Sequence, residues 1–333
     1  MYLFCPGKNR KIKLLKSFDI ISAMPKPEVI LSTDIAGILG GVPLQELYEG
    51  VLGPSQSRNG IPVELIAWWQ AATWILSHPD NKVNVRGFHS SSGRSVNFQS
   101  FVYGISDLLL IPPEVISGIG GEKTSDPPYI LVHEAALDLP LSDRQIEMIQ
   151  TMKNPFIIEN SARKGSWQRS KSLLRELAKL GISSGIMIDL AHLAKEINGG
   201  YDYCSSEFPE IWKAVLFEVR REVASLAGLE SEKFKPFFGM HLPVGTFIED
   251  SLLVDVLGDD QWRDFAAAIG SDYLKYIVFE NQQRRGEKGS PIYCSLPAKE
   301  IKAINARNRV VIGNILRILS ECGIIDLPNL TEK

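Results

Sequence analysis

The stretch Gly185-Ile-Met-Ile-Asp-Leu-Ala-His192 decides how this chain is read. A short, mostly apolar run carries a strand into the interior, and the strand ends in Asp189 with His192 three positions later. A carboxylate and an imidazole at the end of a buried strand are costly to desolvate unless something pairs with them. Either they pair with each other through a hydrogen bond, or both serve a metal ion. The choice turns on whether other strands end the same way.

Working outward, they do. Upstream lie Pro155-Phe-Ile-Ile-Glu159 and Tyr129-Ile-Leu-Val-His133. Downstream lie Pro236-Phe-Phe-Gly-Met-His241 and Tyr273-Leu-Lys-Tyr-Ile-Val-Phe-Glu280. Helical patterns fall between them, over 142–152, over 166–180 with Gly181 in the usual C-terminal position, over 208–226 and over 259–269. A long amphipathic helix over 297–322 closes the series. Short apolar strands alternating with such helices predict parallel βα units.

Before residue 127 the rhythm is weaker. Glu28 to Asp34 reads as a first buried strand and Lys82 to His89 as a second. Helices are predicted over 43–51 and 62–77, the latter carrying Trp68, Trp69 and Trp74 at core spacing and ending at His78-Pro79. Ser90 to Arg94 is a loop, residues 95–126 yield no assignment, and Ser251 to Leu257 reads as another short strand. Counting about eight strands in 333 residues, the expected fold is α/β, a (β/α)8 TIM barrel. It spans residues 28–325 as one domain, with an irregular basic N-terminal arm (1–27) and a short tail (326–333). A doubly wound open sheet is the alternative, and it lacks the glycine-rich dinucleotide fingerprint after any strand.

Apolar residues at 44% and charged residues at 23% suit a soluble globular chain with a full core. The net charge of −3 offers no general attraction for nucleic acid or anionic membranes. No apolar run nears the ~18 residues of a membrane span. The four cysteines, Cys5, Cys204, Cys294 and Cys322, are scattered, and the N-terminus lacks the order of a signal peptide. A reducing cytoplasm is the expected location.

The strand ends carry the chemistry: His89, His133, Glu159, Asp189 with His192, His241 and Glu280. The chain has only five histidines, and all but His78 fall at or just beyond a strand end. A barrel brings the C-terminal ends of its parallel strands to one face, where active sites are built. Four histidines and three carboxylates gathered there call for cations, and this donor set suits Fe, Mn, Zn or Co rather than a thiolate site. Taken singly, each residue has an ordinary structural reading; His192 in particular serves equally well to orient Asp189.

The order Glu at one strand end, Asp-x-x-His at the next, His at the next and Glu at the last resembles the xylose isomerase-like barrel superfamily, over roughly residues 83–285. That superfamily includes sugar isomerases and epimerases, apurinic endonucleases and multinuclear non-heme iron oxidases. In the epimerases, the resemblance implies, residues matching Glu159, Asp189, His241 and Glu280 hold one divalent metal, and the residue matching His192 touches substrate. In the multinuclear branches, histidines matching His89 and His133 bind further metal. Asp189-Leu-Ala-His-Leu-Ala resembles the endonuclease form of that segment, whereas the oxidases often carry Asn where this chain has Ala191 and His192. Those branches also carry Asp-x-His after the strand matching the one that ends at His241. Here the loop Leu242 to Ser251 has no histidine, leaving Glu249, Asp250 and Asp255 as substitutes, so two metals fit better than three.

The favoured expectation is a metal-dependent enzyme holding two or more ions, iron first, that oxidatively modifies a small molecule or peptide. A one-metal sugar or sugar-phosphate isomerase or epimerase is second, with Glu159 and Glu280 exchanging a carbon-bound proton and His192 assisting. A phosphodiester-cleaving endonuclease is third, disfavoured by the net charge. A non-catalytic barrel that binds a peptide or partner is the reading from another class. Two loops on the same face, Asn160 to Arg169 with Arg163 and Lys164, and Asn281 to Lys288 with Arg284 and Arg285, predict an anionic substrate. Asn160 and Asn281, each following a strand-end Glu, are expected at the substrate or behind the ligands. Trp167 is expected to pack on the following helix.

Overall fold

The computed structural model describes residues 26–32, 61–66, 83–89, 128–151, 154–190, 192–193, 196, 208–227, 236–243, 258–280 and 298–326. Eight strands close into a barrel: β1 (Glu28–Ser32), β2 (Ile61–Ile66), β3 (Val83–His89), β4 (Tyr129–His133), β5 (Phe156–Glu159), β6 (Ser184–Asp189), β7 (Phe237–Pro243) and β8 (Leu274–Glu280). Each pairs in parallel with the next, and β8 returns to β1 with Val278 beside Ile30. The open-sheet alternative is thereby excluded. The described helices are α1 (Asp143–Thr151), α2 (Ser166–Lys179), α3 (Phe208–Ala227), α4 (Asp259–Ile269) and α5 (Ala298–Glu321). Each lies within two residues of its expected bounds. No helix among the described residues is long and apolar enough to cross a membrane.

One expectation is overturned. The segment read as the start of a helix over 62–77 is instead β2, and it supplies a barrel strand. Ile61-Pro-Val-Glu-Leu-Ile is apolar enough to pass for one turn of a buried helix, but its backbone pairs with β1 at Leu31–Val63 and with β3 at Ile61–Val83. The barrel also closes without a strand from 251–257, because β7 pairs directly with β8. That segment, the helix expected over 43–51, the three tryptophans, the loop 90–94 and residues 95–126 lie outside the described residues.

Alternation along each strand sorts the side chains into two layers. Ile130, Val132, Ile158, Ile186, Ile188, Phe238, Met240, Ile277 and Phe279 face outward and join the helices in the larger core. On α3, Trp212, Leu216, Val219, Val223 and Leu226 recur every three or four residues on that side. Trp212 stacks on Phe265 of α4 at 4.2 Å. Trp167 is buried and its indole Nε1–H donates to Glu218 of α3 at 2.9 Å, the packing role expected for it.

The intervening positions face into the barrel. Ile30, Tyr129, Leu131, Ile157, Met187, Phe237, Tyr276 and Val278 fill it as a separate apolar cluster. Large rings there require absent side chains opposite. A Cβ on Gly87 would lie 2.2 Å from the Tyr129 ring, and one on Gly185 would lie 2.4 Å from the Phe237 ring. Gly87→Ala is therefore expected to cost about 1–3 kcal/mol through overpacking. Denaturant unfolding of the variant measures this, and a midpoint equal to that of the parent would contradict it.

Candidate metal centre

The same two-residue period that fills the barrel with Leu131, Ile157, Met187 and Val278 brings its next inward positions to His133, Glu159, Asp189 and Glu280. On β7 the inward position reached is His241, and on β3 it is His89. Register places some of these side by side: His133 pairs with Glu159, and Asp189 with His241. All seven sequence-predicted ligands are described, and His89, His133, Glu159, Asp189 and His241 are buried. His192 and Glu280 are the more open members, with 19% and 15% of their side chains exposed.

Glu159 is the hub. Its Oε2 lies 2.8 Å from His89 Nε2 and 3.0 Å from His133 Nε2. Its Oε1 lies 2.6 Å from His241 Nδ1, which is also 2.9 Å from Glu280 Oε2. These six buried atoms are close neighbours, yet none finds a hydrogen-bond partner of acceptable geometry among the described residues. A buried polar atom that forms no hydrogen bond is normally destabilising by roughly 1–3 kcal/mol. Donor atoms held roughly 3 Å apart without N–H···O alignment are what ligands about 2.0–2.2 Å from a shared cation look like.

Two donor groups can be drawn around that hub. His89, His133 and Glu159 form one; Glu159, Asp189, His241 and Glu280 form the other. Within each group the donor atoms lie within 4.8 Å of one another. Glu159 belongs to both, with Oε2 beside His89 and His133 and Oε1 beside His241. These buried His and carboxylate groups can therefore bind metal.

The protonation states follow from burial and neighbours. Burial, reinforced by His89 and His192, outweighs Glu159 and holds the His133 pKa down at about 4, so this ring is neutral at pH 7. Burial also opposes charge on His89, but Glu159 and Glu64 lie against it and push its pKa well above the usual value. His241 is raised likewise by Glu64, Glu159 and Glu280 despite its burial. Glu159 pays for its own burial through His89, His133 and His241, which hold it ionised well below the usual range. Glu280 goes the other way, because burial prevails over His241.

Glu64 is the residue that the sequence reading missed. It sits on β2, wholly buried, and points into the barrel. Its Oε1 lies 3.2 Å from His89 Nδ1, and its Oε2 lies 3.2 Å from His241 Nε2 and accepts the Tyr129 hydroxyl at 2.5 Å. Burial opposes its charge, but His241 and His89 lower its pKa to about 2. The gap between the first two expected strands, from 34 to 82, is about twice a βα unit and was the available sign of a missing strand.

Around Asp189 the expectations are partly revised. Asn160, expected at the substrate or behind the ligands, is fully buried and spends its amide on the backbone of Asp189. Its Nδ2–H donates to the Asp189 carbonyl at 3.0 Å, and its Oδ1 accepts the Asp189 N–H at 2.9 Å. Both ends of the amide are used, so Asn160 positions the end of β6. His192, expected either as a ligand or as a contact to substrate, falls in neither donor group. Its Nδ1 lies 2.9 Å from Asp189 Oδ2 and 3.0 Å from the Asn160 carbonyl. Against the effect of burial, Asp189 raises its pKa to about 9.

The loop after β5 is braced by Glu134, which accepts from the Ser161 N–H at 2.9 Å and the Ser161 hydroxyl at 2.8 Å. Arg169 is committed to the Leu137 carbonyl at 2.6 Å. Arg163 and Lys164 are exposed on that loop. Asn281, Arg284, Arg285 and Lys288, like Glu249, Asp250 and Asp255, lie outside the described residues.

No protein-family model matches the chain, and no curated protein matches it. Among solved structures, the recombinant flavin-binding domain of baker's yeast flavocytochrome b2 is similar at 14% identity and a TM-score of 0.39. That similarity covers 89% of this chain and 63% of the other.

Proposed function

We propose that this barrel is a metal-dependent enzyme in which His89, His133 and Glu159, and Glu159, Asp189, His241 and Glu280, would hold at least two ions, and that it oxidatively modifies a small molecule or peptide with iron. The observation that carries the reading is the division of Glu159 between two donor groups, Oε1 toward His241 and Oε2 toward His89 and His133. A one-metal centre has no use for the second group. The order of the residues along the strands, resembling the xylose isomerase-like superfamily and its multinuclear branches, supports it.

Iron bound here would supply one-electron redox chemistry toward dioxygen, and imidazole with carboxylate is a donor set iron accepts. The protein's own residues do the rest. His133, neutral at pH 7, offers its lone pair without first losing a proton. Glu280 and His192 form the open edge, where a substrate would meet the centre. Glu280, with its raised pKa, is suited to hold a proton there, and His192 to bind an acidic group. Exposed Arg163 and Lys164 on the loop after β5 favour an anionic substrate.

A second reading rests on the four-donor group Glu159, Asp189, His241 and Glu280, which is complete for a single ion. With one Mn, Mg or Co, the site would suit isomerisation or epimerisation of a sugar, with Glu280 as the proton-carrying group.

Elemental analysis of protein purified without oxygen separates them. Two or more iron atoms per chain, with oxygen consumed during turnover, is the expected result; one Mn or Co and no oxygen requirement favours the isomerase. Protein that takes up no metal at all would sink both. Metal affinity should also rise with pH through neutrality, because an ion must displace ring protons from His89 and His241, whose pKa values are raised. His133 adds no such dependence near neutrality, its pKa being about 4.

A further inference from the structure

We infer that Glu64 is a positioning residue shared by two ligands, holding His89 and His241 in opposite tautomers so that His89 presents Nε2 and His241 presents Nδ1 to the Glu159 cluster. The inference rests on the reading of that cluster as a metal centre.

The two histidines face each other across the barrel with ring centroids 5.1 Å apart, and Glu64 lies behind both. His89 turns Nδ1 to Glu64 at 3.2 Å and Nε2 to Glu159 at 2.8 Å. His241 turns Nε2 to Glu64 at 3.2 Å and Nδ1 to Glu159 at 2.6 Å. A neutral imidazole has one N–H, and the partner of that N–H decides which nitrogen keeps its lone pair. Carboxylates behind metal-bound histidines fix ring orientation and raise ligand basicity. Here one carboxylate stands behind two rings: Oε1 faces His89 Nδ1, and both oxygens lie 3.2 Å from His241 Nε2.

The two sides of each ring differ in a way that separates positioning from ligation. On the Glu64 side each ring makes a contact of hydrogen-bond geometry, His89 Nδ1 with Oε1 and His241 Nε2 with Oε2, and neither Glu64 oxygen lacks a partner. On the Glu159 side His89 Nε2, His241 Nδ1 and both Glu159 oxygens find none among the described residues. Glu64, His89 and His241 are also close enough to hold an ion among themselves. That would require each ring to bind metal through both nitrogens, with no ring proton left, and Tyr129 already occupies Glu64 Oε2. The support extends one residue further. Tyr129 reaches Glu64 only because Gly87 has no Cβ, which would fall 2.2 Å from its ring.

Zinc, which accepts the same donors and is diamagnetic, provides the test. Long-range proton–nitrogen NMR of zinc-loaded wild-type protein should find His89 protonated at Nδ1 and bound through Nε2, and His241 protonated at Nε2 and bound through Nδ1. Glu64→Gln removes the negative charge behind both rings and replaces one acceptor oxygen with an NH2 that faces a ring nitrogen. Its zinc dissociation constant should rise about 10–100-fold, with one histidine losing its tautomer. The same tautomer in both rings would overturn the inference, as would zinc affinity unchanged in Glu64→Gln. A third zinc that disappears with Glu64 would overturn it too, making Glu64 a ligand. If the variant fails to fold, the wild-type tautomers still decide. No zinc uptake by wild-type protein would defeat the metal-centre reading itself, which is a separate result.

Discussion

Glu159→Gln is expected to empty the metal centre and to abolish activity by at least about a thousandfold, equivalent to about 4 kcal/mol of transition-state stabilisation. The substitution preserves volume, so a void is not the cause. It removes the negative charge shared by both donor groups and places an amide NH2 against a ring nitrogen, since Oε1 faces His241 and Oε2 faces His89 and His133. Elemental analysis should find less than half of the wild-type metal, and retention of the full complement would disprove its place in both groups.

The metal-free protein should suffer as well. Glu159 is wholly buried among three histidines, and removing one partner of such a set costs about 3–5 kcal/mol. The sign of the pH dependence follows from the directions of the shifts. Glu159 is depressed below its ordinary value of 4.5, so its contribution is present above that value and is lost as pH falls through the lower folded value. His89 and His241 are raised above 6.5, so theirs is fully present below 6.5 and is lost as pH climbs through their folded values. The stability deficit of the variant is therefore largest between about pH 4.5 and 6.5. Chemical unfolding of chelator-treated protein across that range measures it.

His241→Ala should be far more damaging than His89→Ala. His241 contacts Glu64 at 3.2 Å, Glu159 at 2.6 Å and Glu280 at 2.9 Å, and only 1% of its side chain is exposed. Its loss leaves three carboxylates facing one another without the imidazole between them, a change of about 3–5 kcal/mol in the metal-free protein. It also breaks the four-donor group, so the ion held with Glu280 should go. His89→Ala removes one member of the three-donor group, and leaves Glu159, Asp189, His241 and Glu280 in place. It should cost one metal equivalent and retain the other. Parallel elemental analysis and unfolding of the two variants decides this: each should lose one metal equivalent, His241→Ala should lose more stability, and loss of all metal in His89→Ala would mean that the groups are not separate.

How legible the site was depended on how local its signals were. His133, Glu159, Asp189, His241 and Glu280 each end a run of apolar residues, and the two-residue period of a strand predicts that all share the inner face. Asp189-x-x-His192 likewise announced a local pair, which the structure keeps as a 2.9 Å contact. Asn160 was visible as the residue after Glu159, with a place at the substrate and a place behind the ligands both left open. Whether an amide meets substrate or backbone depends on β6, which lies 29 residues further along the chain.

The sequence by itself determined the parallel βα rhythm and the residues at the strand ends, because apolar periodicity and helix punctuation act over a few neighbouring positions. Only the tertiary structure decided that Ile61–Ile66 is a strand, since that segment owes its conformation to pairing with β1 and β3 rather than to its own pattern. With that strand came Glu64, whose partners His89 and His241 stand 25 and 177 residues away. Barrel closure also decided which nitrogen of each histidine faces Glu159. A ring's orientation is set by what lies on both sides of it, and no sequence window of a few residues contains both sides.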